Sequence, residues 1–369
     1  MSPEGELVTI DQDPRPAKAA AGWRVDAAGG SLAPRSANEV MSELDERVRS
    51  GHVGRYDPMP LGFPTLDKVL GGGIRPGELL LLGGAQGTGK TTMTLQWARN
   101  VAANGEGDVL YLCFEHEEEY LLNRLVAMES VLPLLPQTTG AVRIQDVRKE
   151  ILGTGTAASP GGGNGRSVAA SEVLRPALEQ VAQYGSRLFL LRGSQTASTI
   201  DGIRELVREH QRRAPDRPLL LVVDYLQKVP QVPEPGTESE KVTFVVNGLK
   251  DVALSEGVPV IAIVAADKEG LKASRLRNHH LRGSSAINYE ADQILILNEK
   301  YHIVAKVNIE FNPYQAQRFR DWIVVTIEKN RGGVDNFDLE FEKHFAYSAF
   351  DPEGRTVQEK LIEERLYND

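Results

Sequence analysis

Apolar residues in this chain fall mainly in short continuous runs, separated by longer segments with helical periodicity. Continuous apolar runs are typical of strands buried on both faces of a parallel sheet. The runs predict strands at Leu79–Gly83, Val109–Phe114, Arg187–Leu191, Leu219–Asp224, Val258–Val264, Gln293–Leu297 and Ile323–Glu328. Helices are predicted at Thr91–Ala103, Glu117–Ser130, Ser171–Tyr184, Ile200–Arg213 and Val242–Glu256. This alternation predicts a doubly wound α/β fold, with a mostly parallel sheet and helices on both faces.

The pattern also divides the chain into segments. Residues 1–37 are rich in Ala, Pro, Gly and Asp without an apolar period, which predicts a disordered tail. Residues 38–56 contain a short linker-like helix over 38–50, whose single apolar stripe needs a partner surface. The α/β domain spans 57–350, and its Gly/Ser-rich segment 153–167 is interpreted as a flexible surface loop. Residues 351–369 form a charged tail with one possible amphipathic helix.

Composition and charge narrow the classes of function. The formal net charge is −9, whereas proteins that attract nucleic acid over their whole surface are usually basic. Any contact with nucleic acid would therefore need a local basic patch. Since no long apolar run and no secretory signal are present, we expect a cytoplasmic protein without a membrane segment. The single cysteine, Cys113, lies in an apolar run and is predicted to be a core residue.

A glycine-rich segment between the first predicted strand and the first long helix carries the clearest chemistry. It reads Gly84-Ala85-Gln86-Gly87-Thr88-Gly89-Lys90-Thr91, followed by Thr92. Glycines let backbone N–H groups surround a phosphate, and the helix N-terminus adds its positive dipole end. Lys90 would reach the β- and γ-phosphates, and the Thr91 hydroxyl would hold Mg²⁺. The segment therefore predicts a P-loop that binds ATP with magnesium.

Two acidic residues at strand ends extend the predicted site. Asp224 ends an apolar strand, which is the Walker-B arrangement that holds a magnesium-bound water. Glu115 directly follows the strand Val109–Phe114 and is the candidate for activating the attacking water. From the residues alone, Glu115 is interpreted equally well as a solvent-exposed acid, because more glutamates follow it closely.

With these residues in place, positions 38 to 350 resemble the C-terminal ATPase domain of DnaB-type replicative helicases, in the RecA-like P-loop superfamily. The resemblance is carried by PLGFPTLDKVLGGGIRPGELLLLGG, VLYLCFE, LLLVVDYLQ, LRGSSAINYEADQILIL and IEKNRGG. It implies a hexameric ring that hydrolyses ATP as a DNA helicase or single-stranded DNA translocase. It assigns catalysis to Glu115 and magnesium anchoring to Asp224. It also implies that Lys329 and Arg331 contact the γ-phosphate in the neighbouring subunit's site.

The chain departs from this family at two points. The N-terminal domain with which DnaB contacts primase has no counterpart here, which argues against a role as the main replicative helicase. The family also ends its fifth strand with a Gln that couples the γ-phosphate to the DNA-facing loops. Ala265 stands at that position, and an alanine side chain cannot hydrogen-bond a phosphate. Two other functions therefore stay open: a KaiC-like ATP-driven switch acting on a protein partner, and a nucleotide-binding scaffold with negligible hydrolysis.

A basic segment after the fifth predicted strand is the candidate for contacting DNA. Residues 268–282 read KEGLKASRLRNHHLR, and the candidate contacts are Lys268, Lys272, Arg275, Arg277 and Arg282. In a ring this patch would repeat around the channel and attract a phosphate backbone. The alternatives are a solvated loop or a loop that binds a neighbour's acidic surface. The loop 229–241 is acidic and Pro-rich, which argues against a second strong DNA contact there.

Overall fold

The structure is a computed structural model that describes residues 35–50, 57–152, 171–232, 236–304 and 317–362. The chain divides into two compact units, Met1–Val53 and Gly54–Asp369. In the first unit, the described residues form helix α1, Ala37–Arg49, which begins with a capping box between Ser36 and Glu39. This helix coincides with the one expected over 38–50. Most of the predicted tail, and all of the predicted loop 153–167, lie outside the described residues.

Nine connected strands and one paired edge strand form the sheet of the second unit. Their bounds are β1 Leu79–Gly84, β2 Asp108–Cys113, β3 Leu188–Arg192, β4 Leu219–Asp224, β5 Val260–Ala265, β6 Gln293–Glu299, β7 Trp322–Asn330, β8 Phe337–His344, β9 Ala349–Phe350 and β10 Arg355–Thr356. The order is β10-β8-β7-β6-β1-β5-β4-β2-β3, and β9 pairs with β8. Strands β1 to β6 are mutually parallel, whereas β7 to β10 pair in antiparallel fashion.

Helices cover both faces of the sheet. Their bounds are α2 Pro64–Val69, α3 Lys90–Asn104, α4 Glu118–Val131, α5 Ile144–Leu152, α6 Arg175–Tyr184, α7 Ile200–Arg213, α8 Glu238–Glu256, α9 Ser284–Glu290 and α10 Lys300–Ile303. Successive side chains of a strand point to opposite faces. Accordingly, Leu80 of β1 packs in a cluster with Trp97 of α3, whereas Leu81 packs in a second cluster with Leu249 of α8. The predicted doubly wound α/β fold is confirmed. None of the described helices is long and apolar enough to cross a membrane.

The C-terminal part of the domain differs from its sequence pattern. Strand β8 was not predicted, although FDLEFEKH alternates apolar and polar residues as a strand with one buried face does. The residues 355–362, predicted as part of an amphipathic helix, are extended instead of helical. The reason is that β10 pairs with the edge of β8, and Leu361 packs against Ile303 and Phe319. Residues 363–369 lie outside the described residues.

Candidate nucleotide-binding site

The predicted P-loop joins the end of β1 to the start of α3, with Gly89 as the N-cap of the helix. Gly87 and Gly89 have φ angles of 82° and 91°, in the left-handed region that favours glycine. A Cβ atom on Gly89 would lie 2.6 Å from Cζ of Phe345. The loop therefore needs glycine at position 89 for backbone conformation and for space. Phe345 is a part of this site that sequence reasoning missed.

Lys90 lies half-buried across the P-loop. Its Nζ atom donates hydrogen bonds to the carbonyl oxygens of Gly84, at 2.9 Å, and Ala85, at 2.8 Å. Burial lowers the pKa of Lys90, while the nearby carboxylates of Asp224 and Glu115 act in the opposite direction. The ammonium therefore lies at the centre of the loop, where it can exchange carbonyl oxygens for phosphate oxygens.

Asp224, at the end of β4, is 1% exposed. Burial raises the pKa of its carboxyl group to about 6, and a hydrogen bond from the Thr91 side chain partly opposes that rise. The Tyr111 hydroxyl also donates to Oδ2 of Asp224 over 3.3 Å. The described residues contain no cluster of three or more His, Cys, Asp or Glu side chains that could hold a metal alone. A hydroxyl beside one buried carboxylate fits a hydrated Mg²⁺ whose remaining ligands are phosphate oxygens and water.

Glu115 lies at the same edge of the sheet. It comes two residues after Cys113, which pairs with Asp224 across β2 and β4. The charge of Glu115 raises the pKa of both Lys90 and Asp224, so the three groups lie close together. Cys113 itself is fully buried, as predicted. The next acids in the chain, Glu117 and Glu118, instead bind the side chain and the backbone N–H of Arg192. The structure thus brings together the sequence candidates Gly84 to Thr92, Glu115 and Asp224.

Lys329 and Arg331 lie at the opposite edge of the sheet. Strand β7 runs antiparallel to β6, so that Lys329 pairs with Ile294 near the start of β6. The P-loop begins beyond Gly84, which pairs with Leu297 at the far end of the same strand register. Nζ of Lys329 donates to the carbonyl oxygens of Asn288 and Ala291, at 2.6 Å each. Neither cation is part of the P-loop site of its own chain.

The basic segment 268–282 is less free than its sequence suggests. Three of its arginines pair with carboxylates: Arg275 with Asp338 at 2.6 Å, Arg277 with Glu328 at 2.7 Å and Arg282 with Glu238 at 2.7 Å. Arg275 is 3% exposed and also donates to the Thr326 hydroxyl. Lys268 and Lys272 are exposed. The structure therefore leaves these two lysines as the accessible positive charges among the five candidates.

Ala265 lies directly beside the P-loop. It is the last residue of β5 and pairs with Gly84 of β1. Its backbone N–H donates to Oε1 of Gln227 over 3.2 Å, and Gln227 is 8% exposed. Nε2 of Gln227 has no hydrogen-bond partner among the described residues. Sequence reasoning missed Gln227, although it is the last residue of the motif LLLVVDYLQ.

The sheet order, the P-loop between β1 and α3, and Asp224 at the end of β4 define this chain as a P-loop ATPase with a RecA-like fold. A sequence model of the family described as "AAA domain" matches residues 60–270. That range is more than half of the chain, and the chain therefore belongs to this family. Membership implies that the P-loop binds a nucleotide.

Known proteins point in the same direction. The chain is 24% identical over 350 residues to "Replicative DNA helicase DnaB" of Rickettsia bellii, covering 87% of this chain and 64% of that helicase. It is 41% identical over 75 residues to "DNA repair protein RadA" of Mycobacterium tuberculosis, covering 20% of this chain and 14% of that protein. The chain therefore spans less than two thirds of the length of these relatives.

Two solved structures share the fold. One is an isolated ATPase domain, which superposes with a TM-score of 0.66 at 18% identity, covering 86% of this chain and 99% of that chain. The other is a "DnaB-Like Replicative Helicase", solved with attention to its interactions with primase. It gives a TM-score of 0.62 at 19% identity, covering 88% of this chain and 68% of that chain. The resemblance to the ATPase domain of DnaB-type helicases is confirmed.

Proposed function

We propose that this chain is a Mg-ATP-hydrolysing, DnaB-like ring ATPase that works as a DNA helicase or single-stranded DNA translocase. The observation that carries the proposal is the separation of Lys329 and Arg331 from the P-loop. A strand the length of β1 or β6 spans about 17–20 Å, which is more than these side chains can reach. Each cation can therefore serve a P-loop only on another copy of the chain, as successive subunits of a ring require.

The residues divide the reaction between two copies. Lys90 and the P-loop N–H groups bind the phosphates, while Thr91 and Asp224 hold the metal and its water. Bound Mg²⁺ neutralises negative charge on the β- and γ-phosphates. Glu115 accepts the proton of the attacking water. Arg331 and Lys329 of the next copy stabilise the charge that develops on the transferred phosphoryl group, so that hydrolysis depends on assembly.

ATP turnover with and without single-stranded DNA tests the proposal. We expect nucleotide-dependent oligomers and a turnover rate that rises when DNA is added. Glu115→Gln should retain ATP binding and lose turnover, whereas Glu119→Gln, which changes an exposed acid on α4, should behave as the unchanged protein. An unchanged turnover rate, together with no DNA retention at low salt, would exclude the DNA-dependent role. Full turnover in Glu115→Gln would exclude Glu115 as the base.

Two observations favour a second candidate, a KaiC-like switch that acts on a protein partner. Ala265 lies beside Gly84 and offers no side-chain hydrogen bond to a phosphate. Three of the five basic candidates in 268–282 are already neutralised by carboxylates. In such a switch, ATP would order the ring for binding, without movement along DNA. Strand displacement of a forked duplex by the pure protein would exclude this alternative.

A further inference from the structure

Asp292 joins the end of β7 to the beginning of β1. It directly precedes β6 and is 6% exposed. Its backbone N–H donates to the carbonyl oxygen of Leu79 over 3.0 Å, and its own carbonyl accepts the N–H of Arg331 over 3.0 Å. Its carboxylate repeats both connections, since Oδ2 accepts the Leu79 N–H at 2.8 Å and Oδ1 accepts from Arg331 at 3.1 Å. Main chain and side chain thus bind the same two neighbours.

The guanidinium of Arg331 is held from two sides. One nitrogen donates to Asp292, and another donates to the carbonyl oxygen of Tyr289 over 2.7 Å. The side chain is nevertheless 52% exposed, so the outer part of the guanidinium faces away from its own chain. A long side chain that is oriented before it meets its target loses less freedom on binding.

Lys250 completes the cluster. Its Nζ atom donates to Oδ2 of Asp292 and to the carbonyl oxygen of Gly77, both at 2.7 Å. Lys250 belongs to α8, a helix that begins at Glu238, within the acidic segment 229–241. The carboxylate of Asp292 therefore lies between two cations, and its negative charge satisfies both in a largely buried place.

We propose that Asp292 is a positioning residue that orients Arg331 for the active site of the neighbouring copy. The inference rests on the proposed trans role of Arg331. Asp292 acts through Arg331 and does not touch the nucleotide. A carboxylate is required because one group must accept from Leu79, Lys250 and Arg331 together. Asparagine has a similar size but only one acceptor oxygen, and it carries no charge.

The test compares Asp292→Asn, Arg331→Ala and Lys90→Ala in the full chain. We expect Asp292→Asn to lower kcat for ATP about 10- to 100-fold, the range for losing a partner that orients a functional group. Because its own P-loop is intact, KM for ATP and binding of a fluorescent ATP analogue should stay unchanged. The double variant with Arg331→Ala should be no slower than Arg331→Ala alone, since both changes remove the same interaction.

Mixed oligomers separate positioning from support of the fold. Asp292→Asn subunits keep a normal P-loop, and Lys90→Ala subunits keep a normal Arg331. Assembled together in equal amounts, they should regain turnover that neither has alone, because some normal P-loops then face a normal Arg331. If Asp292 only supports β1 through Leu79, its own P-loop is impaired and mixing restores nothing.

The controls make each result decisive. Asp108→Asn changes another buried Asp, which binds His210 at the start of β2 on the same sheet edge, and it should not slow kcat in the same selective way. If Asp292→Asn does not fold, adding Lys250→Met removes the lysine left without its partner, and the same mixing test applies. Full turnover in Arg331→Ala would overturn the trans role itself. Loss in Arg331→Ala, with normal turnover or no rescue in Asp292→Asn, would overturn only the positioning role.

Discussion

Asp224 is the residue at which stability and function are expected to conflict. Its carboxyl group is 1% exposed, and burial raises its pKa from 3.8 to about 6. In the folded protein the ionised form is therefore disfavoured. Stability from the protonated group is fully present below pH 3.8 and is lost as the pH rises through about 6. Replacement by a neutral residue of the same shape should remove this cost.

The size of the effect follows from the two pKa values. The difference between 3.8 and about 6, at about 1.4 kcal/mol per pH unit, corresponds to roughly 3 kcal/mol of unfolding free energy above neutral pH. Asp224→Asn should therefore stabilise the protein by up to about 3 kcal/mol at pH 8 when Mg²⁺ and nucleotide are absent. The neighbours can adapt, because the hydroxyl of Tyr111 can turn its proton toward Thr94, 2.9 Å away.

Denaturant unfolding of both proteins in a chelating buffer, from pH 4.5 to 8, measures this difference. The stability gap should widen as the pH rises and become constant above about pH 7. The same variant should lose ATP turnover, since the metal has lost its carboxylate. A variant that is equally or less stable at pH 8, or a gap that narrows with rising pH, would refute this account of the buried charge.

Other substitutions test the loop geometry and the basic segment. Gly89→Ala should weaken binding of a fluorescent ATP analogue by more than Gly87→Ala, because a new Cβ meets Phe345 only at position 89; equal losses would contradict this. Arg275→Ala should lower the unfolding free energy by about 3 kcal/mol, as expected when one partner of a largely buried ion pair is removed. Lys272→Ala should leave stability unchanged and reduce retention of single-stranded DNA at low salt; a destabilised Lys272→Ala or a stable Arg275→Ala would contradict the assigned contacts.

Local patterns predicted most of the sheet and the P-loop. The continuous apolar runs of β1, β4 and β5 identify central strands, because only burial on both faces tolerates such runs. The spacing of glycines, lysine and threonine between β1 and α3 identifies a phosphate site for the same local reason. Strand β8 alternates polar and apolar residues and was missed, since it lies near the edge of the sheet beside antiparallel strands.

The sequence by itself determined the fold class, the phosphate-binding loop and the carboxylate at the end of β4, because each depends on residues that are close together in the chain. Only the tertiary structure decided which charges are free. It pairs Arg275 with Asp338, 63 residues away, and connects Asp292 to Leu79 across 213 residues. It also places Arg331 at the edge opposite the P-loop. Strand order and register set these relations, and no local period in the sequence encodes them.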